Sequence, residues 1–150
     1  MLADIKSTKY DPTHSIYSAF RAMKTVLIVD DHAEIRRLLR MTLEGEDLDL
    51  HEADSGPAAW TAAQAQRPDV VLMDVMMPGG LDGLEVCRRI RACPSLAHTQ
   101  VVMLSARDST QDRAAGLLAG ACSYIAKPFS TAQIAETVRR LGACAPAQGH

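Results

Sequence analysis

The sequence predicts an α/β fold: a parallel sheet of five strands, each followed by a helix. Three observations carry this. Continuous apolar runs at 25–29 (TVLIV), 69–73 (DVVLM) and 100–104 (QVVML) have strand length and no polar alternation, the pattern of strands buried on both faces. Between them lie segments whose apolar residues recur at helical spacing. Strands alternating with helices of about 10–15 residues imply right-handed crossovers and a parallel sheet covered on both faces.

Each element has its own signals. The first strand, 25–29, is ended by Asp30-Asp31. Ile35, Leu38, Leu39, Thr42 and Leu43 then mark a helix, with Asp31 as its N-cap and Gly45 as its stop. Residues 48–53 (LDLHEA) alternate and read as a weaker, more exposed strand. Ser55-Gly56-Pro57 opens an Ala-rich helix, with Pro57 in the first turn, where a missing N–H costs nothing. That helix ends at Arg67, before Pro68. The strand at 69–73 runs into Asp74, and Pro78-Gly79-Gly80 forms a loop. Asp82-Gly83 starts a helix bearing Leu84, Val86, Cys87, Ile90 and Arg91, ended by Pro94. The strand at 100–104 ends at Ser105. A helix over 108–119 is stopped by Gly120, a short fifth strand covers 121–126, and Lys127-Pro128-Phe129 breaks it. Ser130 caps a last helix ending near Leu141. The organisation expected is an N-terminal extension (1–23, a tail or a short surface helix around 16–22), one domain (24–141) and a C-terminal tail (142–150).

Composition narrows the function classes. The 150 residues suit one domain and bury roughly 68–70% of the unfolded surface, enough for a core without staples. Sixteen Lys and Arg against 18 Asp and Glu leave a net charge of −2, with a pI near 6.2 and 4% aromatics. That balance argues against nucleic-acid binding, which favours basic patches and stacking aromatics. Cys87, Cys93, Cys122 and Cys144 form no C-x-x-C pair and read as reduced thiols. There is neither an apolar run of signal-peptide length near the N-terminus nor a run of 18 apolar residues anywhere, so a cytoplasmic chain with no membrane span is expected. The five histidines are scattered and suggest no metal cluster, and Trp60 reads as core or half-buried.

The chemistry gathers at strand ends. Asp30 and Asp31 end the first strand, Asp74 the third, Ser105 the fourth and Lys127 the fifth. Open α/β sheets bind ligands outside the carboxyl ends of their strands, so these residues converge. Alone, each is bland: an Asp after a strand is usually a helix cap, a Lys a solvated charge, a Ser a turn former. Together, three carboxylates attract a hard cation, and Mg²⁺ takes one or two carboxylates, keeps waters and bridges to phosphate. A carboxylate can also act as a nucleophile and become an aspartyl phosphate. Lys127 offers a point charge and Ser105 a hydroxyl for phosphate oxygens.

The segments VLIVDDH (26–32), DVVLMDVMMPGGLDGLEVCRRIR (69–91), VVMLSAR (101–107) and GACSYIAKPF (120–129) resemble the receiver domain of bacterial two-component response regulators. The resemblance covers about 24–141, with four blocks in the right order and spacing. It implies a flavodoxin-like doubly wound sheet of order 2-1-3-4-5. It implies that Asp74 is the phosphoacceptor, and that Asp30, Asp31, Asp74 and the backbone carbonyl of Met76 hold Mg²⁺. Lys127 matches the phosphate-binding lysine, followed by a cis bond to Pro128. Ser105 and Tyr124 match the switch pair, and Ala106 a small residue that leaves the phosphoryl group accessible. Met76 and Arg107 match positions that control water access, and their bulk implies a long-lived phosphorylated state.

The function implied is a phosphorelay switch. A phospho-histidine of a sensor kinase or phosphotransfer protein supplies the phosphoryl group. The face made by the fourth helix, fifth strand and fifth helix then changes its contacts with a downstream protein, as a monomer or a phosphorylation-dependent dimer. Self-phosphorylation and self-dephosphorylation are the only activities expected. With nine residues after Leu141, a stand-alone receiver is expected. The loop MMPGGLDG has one residue more than the form common in the family, in Gly79 or Gly80. Two rival readings are a phosphate-independent interaction module, which would lack an acidic or lysine residue of the pocket, and a phosphoaspartate-forming phosphatase, which would want an acid where Met76 stands.

Overall fold

The computed structural model describes residues 24–143. The expected N-terminal extension, Cys144 and most of the expected C-terminal tail lie outside them. The elements are β1 (Lys24–Val29), α1 (Ala33–Leu43), β2 (Leu48–Ala53), α2 (Gly56–Gln66), β3 (Val70–Asp74), α3 (Gly83–Ala92), β4 (Gln100–Ser105), α4 (Thr110–Ala119), β5 (Ser123–Ala126) and α5 (Thr131–Ala143). A single 3₁₀ turn, Pro94–Leu96, follows α3.

All strand pairs are parallel, and the order is β2-β1-β3-β4-β5, as the resemblance implies. β1 and β3 are central, and their inward-run residues Val26, Leu27, Ile28, Val29, Val71, Leu72 and Met73 are buried. The pleat sends alternate residues to opposite faces. Leu27, Val29, Val71 and Met73 join Ala59 and Ala63 of α2, Val86 and Ile90 of α3 and Ala119 of α4 in one cluster. Val26, Ile28, Val70 and Leu72 join Leu39 and Leu43 of α1 and Ile134, Val138 and Leu141 of α5 in the other. The apolar runs are continuous because both faces are covered.

Several helix ends follow their side chains. The Ser55 hydroxyl accepts from Ala58 N–H at 3.1 Å and the Asp82 carboxylate from Glu85 N–H at 3.0 Å. Arg67 closes α2 in the left-handed region (φ 48°), before Pro68. The fourth helix begins at Thr110, not near Asp108, because Ser109 and Asp112 form a reciprocal capping box. Asp31 is not the N-cap of α1. His32 holds that position without a side-chain cap bond, and the Asp31 carboxylate belongs to the cluster described below. α1 ends at Leu43 with Glu44 as its C-cap, and Gly45, directly after the cap, has no left-handed backbone. At the other terminus α5 takes in Gly142 and Ala143, which sequence places in the tail.

The Lys127–Pro128 bond is cis. Among the described residues Cys87, Cys93 and Cys122 are free, and burial raises the Cys87 thiol to about 11 and also raises Cys122. No helix among the described residues is long and apolar enough to cross a membrane.

Candidate functional site

The carboxyl ends of β1, β3, β4 and β5 share one edge of the sheet because all pair in parallel. The register aligns them: Val29 lies beside Met73, Asp74 beside Leu104, and Ser105 beside Ala126. Asp30 and Asp74 lie one residue past Val29 and Met73, Ser105 one past Leu104 and Lys127 one past Ala126, so all four reach the same rim. Gly83 lets the start of α3 close over it, since a β-carbon there would collide with the carbonyl oxygen of Asp74.

Asp30 is fully buried and Asp74 nearly so. Lys127 Nζ lies 2.9 Å from Asp30 Oδ2 and 3.4 Å from Asp74 Oδ1. Met76 N–H donates to Asp74 Oδ1 at 3.3 Å. Burial, then the neighbouring charge of Asp30, pushes the Asp74 carboxyl up to about 6, against the pull of Lys127. Burial disfavours the Lys127 charge, but the hydrogen bond to Asp30 and the charge of Asp74 outweigh it and raise its pKa. One ammonium among three carboxylates leaves the pocket net negative.

Asp30 is held from behind. Its N–H donates to Ala53 O at 3.2 Å, and Arg36 Nη1 donates to its carbonyl at 2.8 Å. Glu52 on β2 grips Arg36 at 3.1 Å and Arg40 at 2.6 Å, tying α1 to the sheet beside the pocket.

Donor atoms of Asp30, Asp31, His32 and Asp74 all lie within 4.8 Å of one another. Asp31 Oδ1 is buried without a hydrogen-bond partner. His32 Nδ1 is 3.2 Å from it, close enough to attract but not aligned to donate. A buried, unsatisfied carboxylate oxygen is costly unless a cation meets it, so the donor set fits a hard divalent ion. His32 is the residue that sequence reasoning set aside. Its backbone N–H donates to Asp30 Oδ1 at 2.8 Å, which turns the ring to the pocket. Its place directly after the acidic pair was the available signal.

A cleft of about 490 Å³ opens over Asp74, lined by His32, Glu34, Ile35, Met76, Ala106 and Lys127. Met76 and Ala106 are thus brought together with Asp74 at this cleft. Arg107 is exposed and is not part of this lining.

The profile of the response regulator receiver domain family matches residues 26–139. The chain belongs to that family. It is 43% identical over 116 residues to the transcriptional regulatory protein ResD of Bacillus subtilis, covering 77% of this chain and 47% of ResD. It is 39% identical over 116 residues to the response regulator PleD of Caulobacter vibrioides, covering 77% of this chain and 25% of PleD. The chain thus spans half or less of these curated relatives. Among solved structures it is similar to the chemotaxis response regulator CheY4 of Vibrio cholerae, with a TM-score of 0.74, 31% identity and coverage of 79% and 98% of the two chains. The Francisella response regulator 1452 receiver domain aligns with a TM-score of 0.73, 31% identity and coverage of 79% and 96%. The chain is therefore a receiver of phosphorelay signalling, a family of switches that generally bind Mg²⁺ at an acidic cluster.

Ser105 and Tyr124, which the resemblance makes a switch pair, are linked through one backbone segment. Ser105 is fully buried, and its hydroxyl accepts from Arg107 N–H at 2.9 Å. The Tyr124 ring is turned inward, and its O–H donates to the Arg107 carbonyl at 2.7 Å. Gly116 on α4 makes room for that ring, because a β-carbon there would lie 2.8 Å from Tyr124 Cδ2. The Arg113 guanidinium covers the ring at 5.3 Å, donates to the Tyr124 carbonyl at 3.2 Å and pairs with Asp108 at 2.7 Å. The segment after Ser105 therefore touches both switch residues through its backbone, a role that sequence assigned to no atom of Arg107 in particular.

Proposed function

We propose that Asp74 accepts a phosphoryl group from a phospho-histidine of a sensor kinase or phosphotransfer protein. The observation that carries this is the buried Asp74 carboxylate, open to a cleft on one side and flanked by Lys127 and the unsatisfied Asp31 oxygen. The carboxylate oxygen attacks phosphorus, the donor's N–P bond breaks, and its electron pair returns to the imidazole nitrogen. Asp30, Asp31, Asp74 and the Met76 carbonyl would hold Mg²⁺. Bound there, the ion neutralises charge on the phosphoryl oxygens. Lys127 pairs with one such oxygen and Ser105 donates its hydroxyl to another.

When Ser105 turns to the phosphoryl group it gives up the Arg107 N–H. The segment 105–108 then shifts, and with it the Arg107 carbonyl that holds Tyr124. A local charge change thus biases a two-state element. The readout is the face of α4, β5 and α5, where Leu117 and Leu118 are exposed to a downstream protein or a second receiver. Met76, at the cleft mouth, slows water attack and lengthens the phosphorylated state. We place this chemistry in the cytoplasm, on the analogy of the family.

The test is direct. With Mg²⁺ and acetyl phosphate the full chain should gain one phosphoryl group by intact mass, with acetate as the leaving group, and Asp74→Asn should gain none. An unlabelled wild type, or an equally labelled variant, refutes the assignment.

A further inference from the structure

Most of the pocket is hard oxygen, but one of its donors is not. The His32 ring is 63% exposed, yet its Nδ1 faces inward, 3.1 Å from Asp30 Oδ1 and 3.2 Å from Asp31 Oδ1. The position is built in by the backbone: His32 begins α1 in an extended conformation, and its N–H is fastened to the same Asp30 oxygen. The ring therefore meets the two carboxylates on the solvent side of the cluster, where a bound divalent ion would otherwise keep a water. Glu34 and Met76 line the cleft beside it and bring no second nitrogen.

We propose that a divalent ion in this pocket displaces the proton that His32 Nδ1 shares with Asp30 Oδ1, releases it to solvent and takes the freed nitrogen as a ligand, so that the site prefers borderline ions such as Mn²⁺ or Co²⁺ over Mg²⁺. Mg²⁺ binds oxygen and dehydrates reluctantly, so it gains little from an imidazole. First-row divalent ions accept imidazole readily, with affinity rising along the series from Mn²⁺. The inference deepens the proposed function, since it rests on the acidic cluster being a cation site.

The probe is Mn²⁺, with Mg²⁺ as its reference, on the full chain. Pulsed electron paramagnetic resonance of the Mn²⁺-loaded protein should show coupling to an imidazole nitrogen, and His32→Ala should abolish it. The same substitution should weaken Mn²⁺ binding roughly tenfold, as loss of a metal's supporting group does, and leave Mg²⁺ binding nearly unchanged. His32→Phe should behave like His32→Ala, separating the nitrogen from the bulk of the ring. Binding of Mn²⁺ without nitrogen coupling overturns the inference while leaving the cation site standing. So does an equal effect of His32→Ala on both ions. Failure of the wild type to bind either ion overturns the cation site and the inference together.

Discussion

The acidic pocket and the switch that reads it are built differently. The pocket's carboxylates stand on β1 and β3, inner strands with neighbours on both sides and apolar cover on both faces. The Asp30 and Asp74 carboxylates are held by the backbone N–H groups of His32 and Met76 and by the Lys127 ammonium. The aromatic member of the proposed switch, Tyr124, stands on β5, a four-residue edge strand, against α4, which leaves Leu117 and Leu118 exposed. Tyr124 is held by a missing β-carbon, one cation–π contact and one hydroxyl bond. On the proposed function, charge enters at inner strands and is read at the edge of the sheet. Low local stability is what lets an element move in response to a distant event.

The comparison can be broken at the pocket first. The Asp74 carboxyl ionises near 6 in the fold against 3.8 for an ordinary aspartate, so folding favours its protonated form. The penalty is absent below pH about 4, grows between about 4 and 6, and is complete above, where it reaches up to about 3 kcal/mol. Asp74→Asn should thus equal the wild type in urea unfolding at acid pH and exceed it by up to that amount at pH 8. Excess Mg²⁺ should close the gap by stabilising only the wild type. A pH-independent difference would mean that the pocket carries no electrostatic strain.

The switch side should respond with smaller energies. Gly116→Ala puts a methyl group against the Tyr124 ring, and crowding of this kind costs about 1–3 kcal/mol, offset by the roughly 1 kcal/mol of helix propensity that alanine gains. Tyr124 should move outward, seen as a shifted resonance in fluorotyrosine-labelled protein that Tyr124→Phe assigns, while Mg²⁺ affinity stays as it was. Weakened Mg²⁺ binding would show the two regions to be one unit. The smallest effect belongs to the boundary between them. Ser109→Ala removes the capping box of α4 and should cost about 1 kcal/mol in thermal or urea unfolding, again without changing Mg²⁺ binding.

Sheet, helices and the gathering of Asp30, Asp31, Asp74, Ser105 and Lys127 were legible because burial on both faces writes apolar runs into the chain, and parallel pairing puts all their ends on one rim. Local signals misled where two roles competed for one residue. Asp31 has the chemistry of a cap but is drawn into the carboxylate cluster, and Ser109, three residues before Asp112, outcompetes Asp108 as the start of α4. His32 was illegible as a pocket member because its ring direction depends on a hydrogen bond from its own backbone to Asp30. Gly116 likewise shows its purpose only when Tyr124, eight positions away, is seen lying across it.

The two ends of the sheet carry one more consequence. A parallel sheet leaves unpaired N–H and C=O groups along its outer strands, and such edges recruit foreign strands. Here β2 bears Asp49 and Glu52 on its exposed positions, and β5 is too short to template a partner. Both borders are thus protected against the self-templated growth that leads to aggregates. For a receiver whose proposed role is to change its associations on phosphorylation, such borders close off associations that phosphorylation would not control.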